Sequence, residues 1–418
     1  MSKRLVHLPL KSLEQCFVCH KNNTKLKLCS YCVEATYCSA ECQTKDWAKH
    51  KGICGKTKTD RISLDQFHPF LAYLAESNRL LPERPTHIAL TRKILNGPNP
   101  YVRETHFRDG KSAKLVVLGE PIRPGVSPYS NSEWWPKALS DKVRAKLARR
   151  FLREGDTLPL ICVALVALLG EMYTTPDEDS NLRRTRLQYK SSPIADFGIA
   201  KGSARVTPED MFAYLDTKTN KFWFGQDPKD HYWIYFTTLK GEELVLDFGM
   251  FTFNCCMFIP TEPYYHDDPV WQMAPPLPSP CYFRNRVMER NAPDLHRETR
   301  RVSVLRNPDF HRFVTQADVV DGTSLPDCSI LFDFMESFQS RPLTEKEKEL
   351  TQMWVFWNTR WMKFVISSRF WVNWPAEPTL MVEQDPGELD DLDYWEPTEA
   401  MRRDFLKEKQ EKKLKKKA

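Results

Sequence analysis

The longest uninterrupted apolar run in this 418-residue chain is Leu158 to Leu169, with a proline at its second position. A membrane-spanning helix needs about twenty such residues, so the run predicts a buried helix and no membrane partner. Met1 to Lys11 carries Lys3 and Arg4 but no apolar segment of a secretory leader, so an intracellular protein, cytoplasmic or nuclear, is expected. No internal repeat, phosphate-cradling glycine loop or dinucleotide fingerprint is visible, which sets aside repeat architectures and the commonest nucleotide-binding classes. Strong charge of one sign is also missing, the formal net charge being +6. At 41% hydrophobic and 12% aromatic residues, the chain has the material for real cores and is not a disordered protein.

Cysteine is where the chain is rich, and the distribution is uneven. Seven of the twelve cysteines fall between Cys16 and Cys54, in the run Cys16-x2-Cys19-x9-Cys29-x2-Cys32-x5-Cys38-x3-Cys42-x7-His50-x3-Cys54. These eight donors fill two tetrahedral zinc sites, and closed sites of four cysteines, or of three cysteines and a histidine, hold a shape rather than perform chemistry. A disulfide framework is the competing reading, but no leader precedes the segment, and two Cys-x2-Cys pairs with a His-x3-Cys end suit metal. So short a segment buries little apolar core. Metal binding must therefore supply most of its folding free energy, on the order of 10 kcal/mol per structural site. Seven thiolates and two Zn2+ add −7 + 4 = −3, which lowers the formal +6 to about +3. That balance leaves nucleic-acid binding open but unsupported. The remaining cysteines, Cys162, Cys255, Cys256, Cys281 and Cys328, lack ligand spacing and read as reduced, buried thiols.

Tyr37-Cys38-Ser39-Ala40-Glu41-Cys42-Gln43, Asp46-Trp47 and His50-Lys51-x2-Cys54 resemble a MYND-type zinc finger over residues 16 to 54. The resemblance implies an interleaved arrangement, with Cys16, Cys19, Cys38 and Cys42 on one zinc and Cys29, Cys32, His50 and Cys54 on the other. It also implies use: such fingers bind a protein partner through a short proline-containing peptide, and Gln43 and Trp47 stand at peptide-contacting positions. Cys38 and Cys42, four apart, suit one face of a helix that Ser39 caps.

Beyond a short polar linker, Ile62 to Leu81 has helical apolar spacing, Ala113 to Leu118 reads as a strand, and Pro121 to Pro136 is a turn-rich loop carrying Trp134 and Trp135. Ser140 caps a predicted helix, Asp141 to Arg153, with Val143, Leu147 and Phe151 as its apolar stripe. Lys142, Arg144, Lys146, Arg149, Arg150 and Arg153 cover the rest, and the expectation is a solvated basic face. Tyr232 to Leu239, a Lys240-Gly241 turn and Glu243 to Phe248 form the most hairpin-like pair. Arg284 to Arg306 holds seven arginines, without a nucleic-acid motif. Thr344 and Glu347 make a capping box for a helix from Glu345 to about Phe370, striped with Leu350, Met353, Trp354, Trp357, Trp361 and Phe364.

Two enzyme readings arise at the hairpin. Gly241-Glu242-Glu243-Leu244 and Asp247-Phe248-Gly249 resemble the end of a SET methyltransferase domain, but Phe248 stands where that family has its tyrosine and cannot supply a hydroxyl. The order Cys162, His231, Asp247 over residues 155 to 260 is similar to transglutaminase-like and papain-like folds. That likeness implies a thiolate nucleophile, with His231 as base and Asp247 orienting it, in a cysteine-dependent acyl transferase or hydrolase. Pro159-Leu160-Ile161 departs from that pattern where a glycine is usual.

The expected organisation is α+β: a cross-braced two-zinc finger at 1–58, a mixed α/β domain of unassigned function at 59–380, and a tail at 381–418, acidic then basic. The expected role is a zinc-dependent protein-protein interaction, with the enzyme centred on Cys162 as its rival.

Overall fold

The chain was analysed as a computed structural model that describes residues 4–22, 25–54, 59–100, 102, 105–123, 127–129, 131–176, 184–266, 276–286, 294–316 and 324–382. The expected charged tail therefore lies, from residue 383 onward, outside the described residues. Seven α-helices and substantial sheet make the fold α+β among the residues described.

The apolar run forms α4 (Thr157–Met172), and all but one of its sixteen residues are buried. A helix apolar on every side has no face to give to water, so it must be covered all round. One side rests on a seven-stranded sheet. Its order is β17 (Tyr282–Asn285), β14 (Glu243–Asp247), β13 (His231–Thr238), β10 (Ser192–Ala204), β9 (Thr185–Tyr189) and β4 (Asp60–Ser63), with β18 (His296–Ser303) also paired to β10. All pairings are antiparallel except β4 with β9. The register aligns Ile199 with Ile234 and Ile234 with Leu246, a row that joins the core containing α4. The other sides are covered by α2 (Leu64–Arg79), α5 (Pro308–Val314), α6 (Ser329–Gln339) and α7 (Glu345–Ser367). The capping box of α7 is present as expected, with both Thr344 and Glu347 bonded reciprocally. No single helix among the described residues is long and apolar enough to cross a membrane.

A second sheet runs β12 (Lys221–Phe224), β11 (Phe212–Asp216), β7 (Lys111–Pro121) and β5 (Arg92–Ile94), with β6 (His106–Arg108) on β7. Against it packs α3 (Asp141–Leu152), capped by Ser140 Oγ, which accepts from Val143 N at 3.2 Å. Val143, Leu147 and Phe151 enter a separate core with Trp134, Trp135, Phe212 and Tyr214. The basic face of α3 is not solvated as expected: Arg144, Lys146, Arg150 and Arg153 are all at least nine-tenths buried. The reason lies in distant partners. Arg153 forms a two-bond pair with the buried Glu76 carboxylate of α2, at 2.5 and 3.2 Å, and Arg150 donates to the carbonyls of Thr252 and Asp210. Arg84 holds the bend between α3 and α4 by donating to the Leu152 and Glu154 carbonyls and to the Asp156 carboxylate.

The finger holds a two-stranded hairpin, β2 (Lys27–Leu28) and β3 (Thr36–Tyr37), and helix α1 (Ala40–Cys54). Residues 4–6, grouped with the finger on sequence, instead form β1 (Arg4–Val6) and pair with β8 (Thr174–Pro176) just after α4. β16 (Ser279–Pro280), β15 (Met257–Ile259) and β19 (Met381–Val382) form a further three-stranded patch.

Close approach of β18 to β10 depends on Gly202, where an added Cβ would lie 2.1 Å from the Arg297 carbonyl oxygen. Backbone cannot yield as a flexible side chain can. Gly202→Ala should therefore destabilise the protein by about 2–3 kcal/mol, read as a lower denaturant midpoint at unchanged slope.

Candidate functional sites

The eight spaced donors converge into two groups, Cys16, Cys19, Cys38 and Cys42, and Cys29, Cys32, His50 and Cys54, each with its ligand atoms within 4.8 Å of one another. Sγ···Sγ separations of 3.4 Å (Cys19, Cys38), 3.5 Å (Cys38, Cys42) and 3.5 Å (Cys29, Cys54), with Cys32 Sγ 3.4 Å from His50 Nε2, describe the two clusters. A disulfide would bring sulfurs to about 2.05 Å, whereas ligands at about 2.3 Å from one zinc stand somewhat under 4 Å apart. All twelve cysteines are free. The donor chemistry and spacing thus fit two structural zinc ions, cross-braced as the interleaved arrangement requires.

Local structure delivers these ligands. Ser39 Oγ accepts from Cys42 N at 3.3 Å and caps α1, so Cys42, His50 and Cys54 all project from one helix. Asp46, one turn before His50, accepts from the Tyr37 hydroxyl at 2.7 Å and lies 4.0 Å from His50 Nδ1, a carboxylate backing a ligand imidazole. Burial alone would raise the Cys16 thiol, but N–H groups of Cys19, Val18 and Cys38 outweigh it and hold it down to about 6. At Cys29 burial is likewise outweighed, by N–H groups of Cys32 and Tyr31 and by His50, and the thiol falls to about 7. The surrounding N–H groups thus favour the thiolate at Cys16 and Cys29, the form a metal binds.

The finger is fastened to the main sheet. The Glu34 carboxylate accepts from Arg184 Nη1 at 3.1 Å and from Arg186 Nε at 3.0 Å, and Arg61 donates to the Cys32 carbonyl. Gln43 and Trp47 lie one turn apart on α1. Gln43 is half-buried and Trp47 is 41% exposed, while Asp46 and His50 beside it are buried.

The expected Cys162 site comes out differently. α4 begins at Thr157, and Cys162 is its sixth residue. Its side chain is fully buried in the main core, and burial alone drives its thiol far up. His231 and Asp247 do meet, Nε2 to Oδ2 at 2.6 Å, but the third member is His296, whose Nε2 lies 2.7 Å from the same oxygen. Strand alternation explains why. Tyr232, Ile234, Leu244 and Leu246 belong to the core that holds Cys162, whereas Trp233 and Val245 belong to the core on the opposite side of the sheet. His231 and Asp247 share the parity of that second group. No hydrogen bond links Cys162 to His231 among the described residues, and a nucleophile–base contact is not formed.

His231, Asp247 and His296 offer three donor atoms within 4.8 Å. Their 2.6 and 2.7 Å contacts are hydrogen-bond lengths, shorter than the roughly 3.3 Å between two ligands on one tetrahedral zinc. Asp247 Oδ1 also accepts from Gly249 N at 2.6 Å. The group is a buried bracket that ties β14 to β13 and β18. His296 was not legible from spacing, since it sits in the arginine-rich stretch and meets Asp247 only through sheet pairing. In that stretch, outside residues 287–293, several arginines are held within the chain: Arg286 pairs with Glu243 and Asp294, Arg301 with Glu243 and Glu298, and Arg306 donates to the Pro9 and Ala195 carbonyls.

Residues 16–54 match the MYND finger family. The segment is therefore a MYND finger, a zinc-binding module of the interaction class, bearing two structural zinc sites. No curated protein and no solved structure matches the chain.

Two outcomes are expected. Cys19 is exposed, whereas Cys29, Cys32, His50 and Cys54 are all buried. A chelator should release zinc in two phases with a coloured indicator, and Cys19→Ser should abolish the faster one. Burial would raise the Asp247 carboxyl, but His231 and then His296 outweigh it and hold it well below the usual carboxylate range. A depressed carboxyl contributes stability above its unfolded value and loses it as pH falls toward the folded one. The stability advantage of the native chain over Asp247→Asn should accordingly be full at pH 6 and shrink as pH drops below about 4, in urea melts across pH.

Proposed function

We propose that the finger docks a short proline-containing segment of a partner protein across the Gln43–Trp47 face of α1. The observation that carries this reading is the exposure of Trp47 on the helix that supplies zinc ligands, with its ring 6.2 Å from that of the ligand His50. A metal-fixed tryptophan is already ordered, so contact on it costs little side-chain entropy. Proline rings stack flat on indole, and a proline-rich segment is extended before it binds. Phe17 (55% exposed) and Tyr31 (69%) add further aromatic surface to the same module. An intracellular setting belongs to the same proposal, supported by twelve free cysteines.

The test is an array of ten-residue peptides containing one or two prolines, screened against the zinc-loaded full chain and followed by titration of the best binder. Trp47→Ala should weaken that binder by at least about tenfold with zinc content unchanged, as loss of an aromatic anchor does. An array without binders, or a Trp47→Ala protein that binds equally well, overturns the proposal.

A further inference from the structure

The second sheet carries a groove beside its edge strand β12. About 310 Å³ in volume, it lies between the turn that joins β6 to β7 and the end of β12, walled by Ala113, Pro208, Met211, Phe212, Phe224 and Pro228. Lys111 and Lys229 also line it, with Asp227, which pairs with Lys111 at 2.6 Å. Aromatic surface continues past the groove. Phe222 and Phe224 meet edge to face at 5.2 Å, the Arg108 guanidinium lies 4.6 Å over the Phe222 ring, and Phe107 is 72% exposed. Such a wall suits an aromatic anchor. Among the described residues β12 pairs with β11 alone, and an edge strand offers backbone groups to an added segment.

Charge narrows the choice of what covers it. The two stretches that border the groove, 105–111 and 217–229, hold Arg108, Lys111, Lys218, Lys221 and Lys229 against Asp109 and Asp227, 5 − 2 = +3. One segment of this chain has the opposite character. Residues 383–399, which lie outside the described residues, hold eight acids, no lysine or arginine, and Leu389, Leu392, Tyr394 and Trp395.

That segment starts close by. β19 ends at Val382, which pairs with Met257 of β15, and Met257 packs against the same small core as Met211 of the groove wall. Asn254, three residues before Met257, holds Asp210, the neighbour of Met211, at 3.1 Å. Counting about 3.8 Å per Cα step along this path, Val382 stands within roughly 30 Å of the groove, whereas the thirteen residues to Trp395 extend to about 43 Å.

We propose that the acidic segment 383–399 of the same chain docks in this groove, Trp395 against the apolar wall and the carboxylates toward Arg108, Lys111 and Lys229. A segment tethered so near its site is held at about millimolar effective concentration, so modest intrinsic affinity is enough. The finger plays no part in this contact.

The test is a fluorescence-anisotropy titration of a dye-labelled peptide of residues 383–399 into the zinc-loaded full chain. The native chain should bind the peptide at least about tenfold more weakly than a chain carrying Tyr394→Ala and Trp395→Ala, because the native groove is already filled. Such a gain of binding is not one that misfolding imitates. In the tail variant, a further Lys229→Glu should weaken the peptide at least about threefold, and added salt should weaken it too, whereas Lys240→Glu, at an exposed lysine of the β13–β14 turn, should change little. Equal binding by the native chain and the tail variant, no binding by either, or no loss in Lys229→Glu overturns the proposal. Loss of binding through Trp47→Ala also overturns it, by placing the segment and its Pro386 and Pro397 on the finger instead.

Discussion

The main core of this chain is arranged around the need to hide α4 from water on all sides. An amphipathic helix could have rested on one sheet and faced solvent with its back. α4 has fifteen buried residues among its sixteen, and each large aliphatic one gains about 1.5–3 kcal/mol only if it stays covered. The sheet, α2, α5, α6 and α7 supply that cover from segments spread over the chain. The same requirement fixes Cys162 as a core residue, since any opening that exposed its thiol would expose the neighbouring leucines too.

The finger solves the opposite problem. It has little apolar interior, its own core amounting to a few cysteines with Ala35 and Tyr37, and two metal sites replace packing as the source of order. Among the described residues, these two strategies meet at the Glu34 contacts with Arg184 and Arg186 and at the Arg61 bond to the Cys32 carbonyl.

What could be read in the sequence follows from how local each signal is. The zinc ligands were legible because eight donors at fixed short spacing leave few alternatives, and Ser39, Ser140 and the Thr344–Glu347 box were legible because a cap is settled within four residues. The hairpin at 231–247 was legible from alternation and its Lys240-Gly241 turn. Burial of the basic side of α3 was not, because Glu76 and the Thr252 carbonyl lie about 70 to 100 residues from the arginines they hold. The Cys162 reading failed on geometry that order along the chain does not carry. His231 and Asp247 were rightly paired, yet the parity of β13 and β14 turns them away from the core that holds the cysteine.

The Glu34 contact with Arg184 and Arg186 has a consequence for recognition. A module on a loose tether samples many bearings, and whatever it captures is free to swing with it. Here the knuckle that carries Cys29 and Cys32 is pinned to β9, so α1 and its tryptophan keep one bearing relative to the sheet. A partner captured at Trp47, as proposed, would arrive already aligned, and its remaining surface would meet the rest of the chain at a fixed, high local concentration. Recognition of a short segment then becomes a way of measuring the shape of what lies beyond it.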